Sequence, residues 1–528
     1  MRAVDNLRPG ESFDVVVVGG GHNGLVAAAY LAKAGRSVCV LERLEEVGGA
    51  AVSSYAFAGM DAKLSRYSYL VSLLPARIIH ELGLRIELRR RRYSSYTPLP
   101  GTDRGLLIDR DDLDATRASF ASIGAGPDAE AFDAFGAELA SLAAAFWPTL
   151  LEPLPTRSEA RRMLGDDELW RAFLERPVGE TIRSRFANDL VRGVVATDAL
   201  IGTFASLDDD SLLQNICLLY HVIGGGTGDW DVPVGGMGAV SGELRRAAER
   251  AGAHIRTGAE VTAVDPDGAV FYRTAEGESR VEGSAILANV APSVLERLLG
   301  DAGEPTPGER MPEGAQVKVN LLLSRLPRLR DAAVEPAAAF GGTFHINETA
   351  TQLERAFEQA AAGAVPDLLP AEIYCHSLTD PSILSPELAA SGAHTLTVFG
   401  LHTPHRLGAG AAELQAAVLA SLNSVLAEPI EPLLLRDAHG EPCIETKTTA
   451  DLESALGLPG GNIFHGALDW PFLDDDEPRT TAAERWGVAT RHPRILLCGS
   501  GSRRGGAVSG LGGHSAAMAL LEDGLDRD

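Results

Sequence analysis

Residues 15–24 read VVVVGGGHNG. Four valines run straight into three glycines, and a fourth glycine follows His22 and Asn23. An unbroken β-branched run suits a strand covered on both faces of a parallel sheet, so a strand is expected from Phe13 to Val18. Gly19, Gly21 and Gly24 then fit G-x-G-x-x-G. A helix is expected from Asn23 to Ala34, because Leu25, Ala28, Ala29 and Ala32 recur at helical spacing and Gly35 supplies a stop. A second strand, Ser37 to Leu41, ends on Glu42, eighteen residues after Gly24.

Each part of this unit has a physical use. Gly19 makes the tight turn, Gly21 lets backbone approach a pyrophosphate, and Gly24 lets helix and strand close on each other. The helix N-terminus, with His22 and Asn23 in its first turn, offers unpaired N–H groups and the positive end of a dipole to phosphates. Glu42 is placed to accept hydrogen bonds from a ribose diol. A glycine-rich turn in some other sheet explains the glycines but not strand, turn, helix, strand and acid in register. The stretch is read as a dinucleotide site.

The sequence after Glu42 bears on which dinucleotide. Arg43 is followed by LEEVGGAA, with Gly48, Gly49 and Ala50 six to eight residues beyond the acid. Paired glycines there let a longer cofactor run back past the loop. LERxxxxGG resembles the FAD signature of the glutathione-reductase-like flavoproteins, whereas taken alone Gly48-Gly49 is an ordinary turn.

Composition sets the outer limits. At 528 residues the chain is too long for one core, so two domains are expected. With 45% hydrophobic and 23% charged residues it is an ordinary globular protein. A formal charge of -25 argues against nucleic acid or an anionic membrane as the main partner. No apolar run approaches the ~18 residues of a transmembrane helix. The opening MRAVDNLRPGES lacks the apolar segment of a secretory signal. The five cysteines stand far apart with no CxxC pair, which suits a reducing cytoplasm and excludes a zinc cluster or a dithiol motif.

Two further segments complete the nucleotide-binding sheet. PVGGMG (233–238) opens an amphipathic helix, Ala239 to Ala251, closed by Gly252. Short strands are expected around Ile255, at Glu260 to Val264, at Val270 to Arg273 after the turn DPDG (265–268), and at Ala285 to Leu287. Near the carboxyl end, Arg494 to Cys498 reads as a short strand. GSGSRRGGAVSGLGG follows, with seven glycines between Gly499 and Gly513, then a helix to about Leu521. A helix N-terminus near Ser509 to Gly513 would face a flavin pyrimidine edge.

The chain resembles the phytoene-desaturase-like FAD flavoproteins, closest to their pyridine nucleotide-disulfide oxidoreductase domain-containing branch. The matching stretches are VVVVGGGHNGLVAAAYLAKAG, LERLEEVGGAAV, SRYSYLVSLLP (65–75), VPVGGMGAV, VKVNLLLSRLP (317–327), GGNIFHGAL and GSGSRRGGAVSGLGG. The resemblance implies an α/β fold, with a glutathione-reductase-like (Rossmann-type) FAD-binding domain and a discontinuous mixed α+β substrate domain. It implies bound FAD and oxidation or isomerisation of an unsaturated, largely apolar substrate. It also adds Val261, meeting the adenine through its backbone, and Gly499, Ser509 and Gly510 to the cofactor-facing residues. Arg66, Tyr67 and His465 fall near the flavin ring: Tyr67 and His465 to orient a substrate or take a proton, Arg66 to hold an anionic group. Two departures weigh against a carotenoid: four acids from Asp474 to Glu477 in DWPFLDDDEPR (469–479), and Arg503-Arg504 in place of the usual His-Pro.

The expected organisation is FAD-binding segments at 1–75, 233–300 and 485–528, with substrate-domain segments at 76–232 and 301–484. Ala129 to Leu151 reads as a helix serving the core, a lid or a peripheral membrane contact. AGEPTPGERMPEG (302–314) reads as a solvent loop. Arg89 to Arg92 reads as a solvated edge ahead of a patch for an anionic group. His402 and His405 have metal-like spacing but no carboxylate or thiol partner nearby, and no metal is expected.

The expectation is an FAD-dependent dehydrogenase or oxidase that removes a hydride from a small organic substrate, in the cytoplasm. With one dinucleotide motif, reoxidation falls to oxygen, a quinone or another carrier. Redox-neutral double-bond isomerisation and a non-catalytic, flavin-fold binding or assembly role are the alternatives.

Overall fold

The computed structural model of the chain describes residues 11–300 and 313–524. Most of the 302–314 loop therefore lies outside the described residues. The glycine motif is built as β1 (Glu11–Val18), α1 (His22–Lys33) and β2 (Val38–Leu41). The four valines alternate between two cores. Val15 and Val17 pack with α1, while Val16 and Val18 pack with Cys39, Leu41 and Ile286 on the opposite face. A strand enclosed on both faces is apolar at every position, which is why this one reads as an unbroken run.

Seven strands form the nucleotide-type sheet. β1 lies parallel between β2 and the long strand Gly277–Ala288, and His254–Arg256 extends the sheet beyond β2. The long strand has two partners on its other edge. Its first half pairs antiparallel with Ala269–Thr274, which carries Glu260–Val264, and its last three residues pair parallel with Ile495–Leu497. Segments from three distant parts of the chain thus build one α/β unit of Rossmann type.

A second seven-stranded sheet is mostly antiparallel, in the order Ile444–Lys447, Val317–Leu323, His394–Gly400, Ala371–Tyr374, Thr343–Ile346, Tyr93–Pro98, Gly105–Asp109. Its two faces have opposite chemistry. Val317, Val319, Leu321, Phe344, Ile373, Leu396 and Val398 point to a core closed by the helix Ala411–Val425. The residues one step out of phase, Lys318, His345, Glu372, Tyr374 and Phe399, line an internal cavity instead. The period of two along a strand alone makes this separation.

Helices between residues 113 and 222 form the remaining wall. The stretch expected to be helical from Ala129 is the helix Asp128–Phe146. It buries Phe135, Leu142 and Phe146, while Phe132 and Leu139 face the cavity. Among the described residues no helix is long and apolar enough to cross a membrane. In the Arg89–Arg92 run, Arg89, Arg90 and Arg92 are exposed, as a solvated edge requires, and Arg91 is the exception. Arg91 is buried, hydrogen-bonded to Thr343 Oγ1 and the carbonyl of Trp230 and lying over the Tyr374 ring, and Arg92 grips Asp109. The acids Asp474 to Asp476 are exposed, and Glu477 is taken by Arg503.

α1 is buried on all sides from His22 to Ala32, which its alanines allow. The closest approach is by Gly513 of the helix Leu511–Asp523, where a Cβ would run into the carbonyl of Asn23. Gly513→Ala is expected to cost about 1–3 kcal/mol by overpacking. Gly242→Ala, in the helix Met237–Ala251 with only the Arg246 guanidinium at 3.6 Å, should be neutral or stabilising. Thermal denaturation followed by circular dichroism compares the two; equal melting temperatures would contradict the packing.

Candidate functional site

The glycine loop leaves little room for side chains. Gly19 has φ +100°, and a Cβ there would stand 2.7 Å from the carbonyl oxygen of Asn289. Gly24 backs onto the carbonyl of Gly19, so any larger residue would push helix and strand apart. Glu42 is fixed from two sides: the N–H of Gly20 donates to Oε2 and that of Leu44 to Oε1, both at 2.8 Å. The paired glycines belong to the same construction. The N–H of Gly48 donates to the carbonyl of Gly20 at 2.9 Å, and Gly49, at φ +58°, passes beside the Cα of Gly21.

α1 starts at His22 with Gly21 as its N-cap and no capping side chain. The first-turn N–H groups are thus offered outward rather than to a cap. His22 Nε2 and Asn23 Oδ1 are buried without a hydrogen-bond partner. A loop that only glycine fits, an uncapped helix end, orphaned polar atoms and a buried carboxylate suit the phosphates and ribose of a dinucleotide.

A cavity of about 880 Å³ extends from this loop between the two sheets. Gly19, Gly21, His22, Asn23, Glu42, Arg43, Gly49, Ala50 and Val261 line it. Gly24 and Gly48 act from behind by close packing, Gly48 against Ser241 and Val52. Gly499 lies against the Asn289 side chain, outside the lining. Ser509 and Gly510 do not face the cavity as expected. Gly510, at φ +75°, turns the chain inward beneath Val26, Leu74 and Ile78, and Ser509 Oγ is hydrogen-bonded to the N–H of Leu511. Gly506, Ala507 and Val508 take their place on the wall.

The sequence profile described as NAD(P)-binding Rossmann-like domain matches residues 17–81. An uncharacterized protein of Mycobacterium tuberculosis is 59% identical over 96% of this chain and 97% of its own. Pyridine nucleotide-disulfide oxidoreductase domain-containing protein 2 of Rattus norvegicus is 31% identical, over 98% of this chain and 94% of its own. The chain belongs to that oxidoreductase family. In fold it is similar to cyclohexylamine oxidase from Brevibacterium oxydans IH-35A, with a TM-score of 0.55 at 16% identity, covering 97% of this chain and 99% of that one.

All five cysteines are free and buried. Of the three residues expected near the reacting atoms, two line the cavity. Tyr67 lies on its wall, with burial raising its phenol. His465 also lines it, at φ +64°, with Nδ1 buried and unpartnered. Burial lowers His465 to about 4, and burial together with His465 lowers His22 to about 4, so both imidazoles are neutral at pH 7. His465 is therefore held in its neutral, hydrogen-bonding form, a weak base. Arg66 is absent from the lining, because Glu445 holds its guanidinium at 2.9 Å. The His402/His405 pair separates: His402 is buried between Phe204 and Phe357, and His405 turns to Thr449.

Sequence reasoning missed two residues. Asn289 donates from Nδ2 to the carbonyl of Gly19 at 2.9 Å and lines the cavity; its signal is a polar residue directly after the apolar run Ala285–Ala288. Lys318 is the single charge in the buried strand VKVNLLL. Its ammonium donates to the carbonyls of Ser65 and Tyr67, both at 2.8 Å, and lies 5.1 Å from the Phe399 ring centroid. Those contacts hold SRYSYL against the second sheet. Burial lowers Lys318 to about 7.

An unfolded lysine titrates near 10.5, so between pH about 7 and about 10 the unfolded chain binds the extra proton. The contribution of Lys318 to stability therefore rises with pH across that window. Relative to Lys318→Met, wild type is expected to gain melting temperature steadily from pH 7 to pH 10. A constant difference between the two would mean that Lys318 titrates normally.

Proposed function

We propose that this chain is an FAD-dependent oxidoreductase of the phytoene-desaturase-like type. It would take a hydride from a C–H of a largely apolar organic substrate, forming or rearranging a double bond. The observation that carries this reading is one continuous cavity joining the dinucleotide loop to an aromatic and apolar chamber. In that chamber Tyr69 and Tyr374 have ring centroids 4.8 Å apart, and Phe399 meets Tyr374 edge-on.

FAD supplies a hydride acceptor when bound. Glu42 would hold its ribose with a carboxylate already fixed by two backbone N–H groups, at little cost in ordering. The uncapped N-terminus of α1 would hold its pyrophosphate. Phe132, Phe135 and Leu139 would enclose an apolar substrate and exclude water. Lys318 Nζ, neutral above pH about 7, would accept the proton released when a C–H beside a heteroatom is oxidised. Tyr67 and His465 would orient the substrate. Oxygen or a quinone would take the electrons onward. Five free, buried cysteines fit a cytoplasmic location.

The purified protein is expected to be yellow, with FAD the cofactor released on denaturation and resolved by liquid chromatography; FMN or an empty protein would overturn the reading. Glu42→Arg should weaken FAD retention roughly tenfold or more, the scale of lost hydrogen bonds to a charged group. An unchanged FAD content would place the ribose elsewhere.

Anaerobic flavin bleaching against a panel of amines, polyenes and lipids identifies the substrate class. With a substrate found, Lys318→Met should retain FAD and lower the bleaching rate on the order of a hundredfold. Full FAD with an unchanged rate would assign the proton to another group.

A further inference from the structure

At the end of the cavity formed by the second sheet, two adjacent strands bring a histidine and a glutamate face to face. His345 on Thr343–Ile346 stands directly across from Glu372 on Ala371–Tyr374, on the sheet face turned away from the apolar core. Immediately past the first strand the chain turns at Asn347, φ +56°, and returns Glu348 toward the same point. One ligand-type atom from each of His345, Glu348 and Glu372 lies within 4.8 Å of the others, and all three residues are buried.

Glu348 supplies a second, independent observation. Its side chain is fully buried, Oε2 lies 3.9 Å from His345 Nδ1, and neither carboxylate oxygen makes a hydrogen bond. Such a group is costly to bury without a compensating charge. The cations of this recess do not provide one. Arg91 is spent on Thr343 and the carbonyl of Trp230, Arg110 is paired with Asp229, and neither forms an ion pair with Glu348 or Glu372 among the described residues. The other two members are already oriented. Thr97 Oγ1 lies 3.1 Å from His345 Nδ1, and Thr197 and Tyr374 donate to the two oxygens of Glu372 at 3.0 Å and 2.8 Å. Partners of this kind fix the direction of metal-binding side chains.

We infer that His345, Glu348 and Glu372 form a binding site for one divalent first-row transition cation, with its open coordination positions facing the cavity. One imidazole nitrogen with two carboxylates is a mixed donor set that suits manganese, iron(II) or zinc better than calcium or magnesium, which prefer oxygen throughout. Two carboxylates and a neutral imidazole balance a dication. His345, Glu372 and Asp198 line the cavity, so the open positions would meet water or an oxygen atom of a substrate there. The inference does not depend on the proposed flavin chemistry.

The experiment uses the full-length protein as purified, stripped with a chelator and titrated with Mn²⁺, with metal content measured by mass spectrometry and bound Mn²⁺ by electron paramagnetic resonance. Roughly one Mn²⁺ per chain is expected, with pulsed spectra showing coupling to a single imidazole nitrogen. Glu348→Gln should weaken binding by about 100-fold while leaving the cofactor content unchanged. Should that variant fail to fold, the nitrogen coupling in wild type decides, and its loss in His345→Gln checks the assignment. Absence of stoichiometric Mn²⁺ or Zn²⁺ in wild type, binding without imidazole coupling, or undiminished affinity in Glu348→Gln would each overturn the site.

Discussion

Much of this molecule rests on the contact between the backbone of Gly19 and Asn289. There the ends of β1 and of the strand Gly277–Ala288 are held so close that a single Cβ would collide with a carbonyl oxygen. Asn289 is hydrogen-bonded to the carbonyl of Gly19, Glu42 holds the N–H of Gly20, and Gly48 is hydrogen-bonded to the carbonyl of Gly20. Three segments distant in sequence or joined by turns thus converge on Gly19 and Gly20. The convergence sets the cavity mouth at the carboxyl ends of parallel strands, where open α/β sheets bind ligands.

The second constraint is the desolvation of polar groups on the inner face of the second sheet. Strand alternation sends Val317, Val319 and Leu321 to the apolar core, and leaves Lys318 to find acceptors inside the protein. It finds them on the carbonyls of Ser65 and Tyr67. A buried lysine satisfied by carbonyls rather than a carboxylate has no strong reason to stay charged, which is why it titrates near neutrality. The same face gathers His345 and Glu372, and the turn at Asn347 adds Glu348. Polar groups that seem scattered along the sequence therefore share one wall of one cavity.

Much of the nucleotide-binding half was legible in the sequence because its signals are local. A valine run, three spaced glycines and an acid at the end of the next strand are contiguous, and their meaning comes from backbone sterics. The same logic failed at Ser509 and Gly510. There several glycines can each supply the turn, and only packing against Val26, Leu74 and Ile78 selects Gly510 as the inward one. Arg66 was misjudged for a related reason: its partner Glu445 is 379 residues away in sequence.

By itself, then, the sequence determined the glycine loop, the strand–helix–strand around it, and Glu42 as the acid that ends the second strand. Those features depend on residues within one or two turns of each other, where steric rules are strict. The tertiary structure alone decided which polar residues meet across the cavity. Lys318 reaches SRYSYL, Asn289 reaches Gly19, and His345 faces Glu372 through pairings between strands. Each pairing depends on the burial and register of whole sheets, and a shift of one residue would turn every such side chain toward the opposite face.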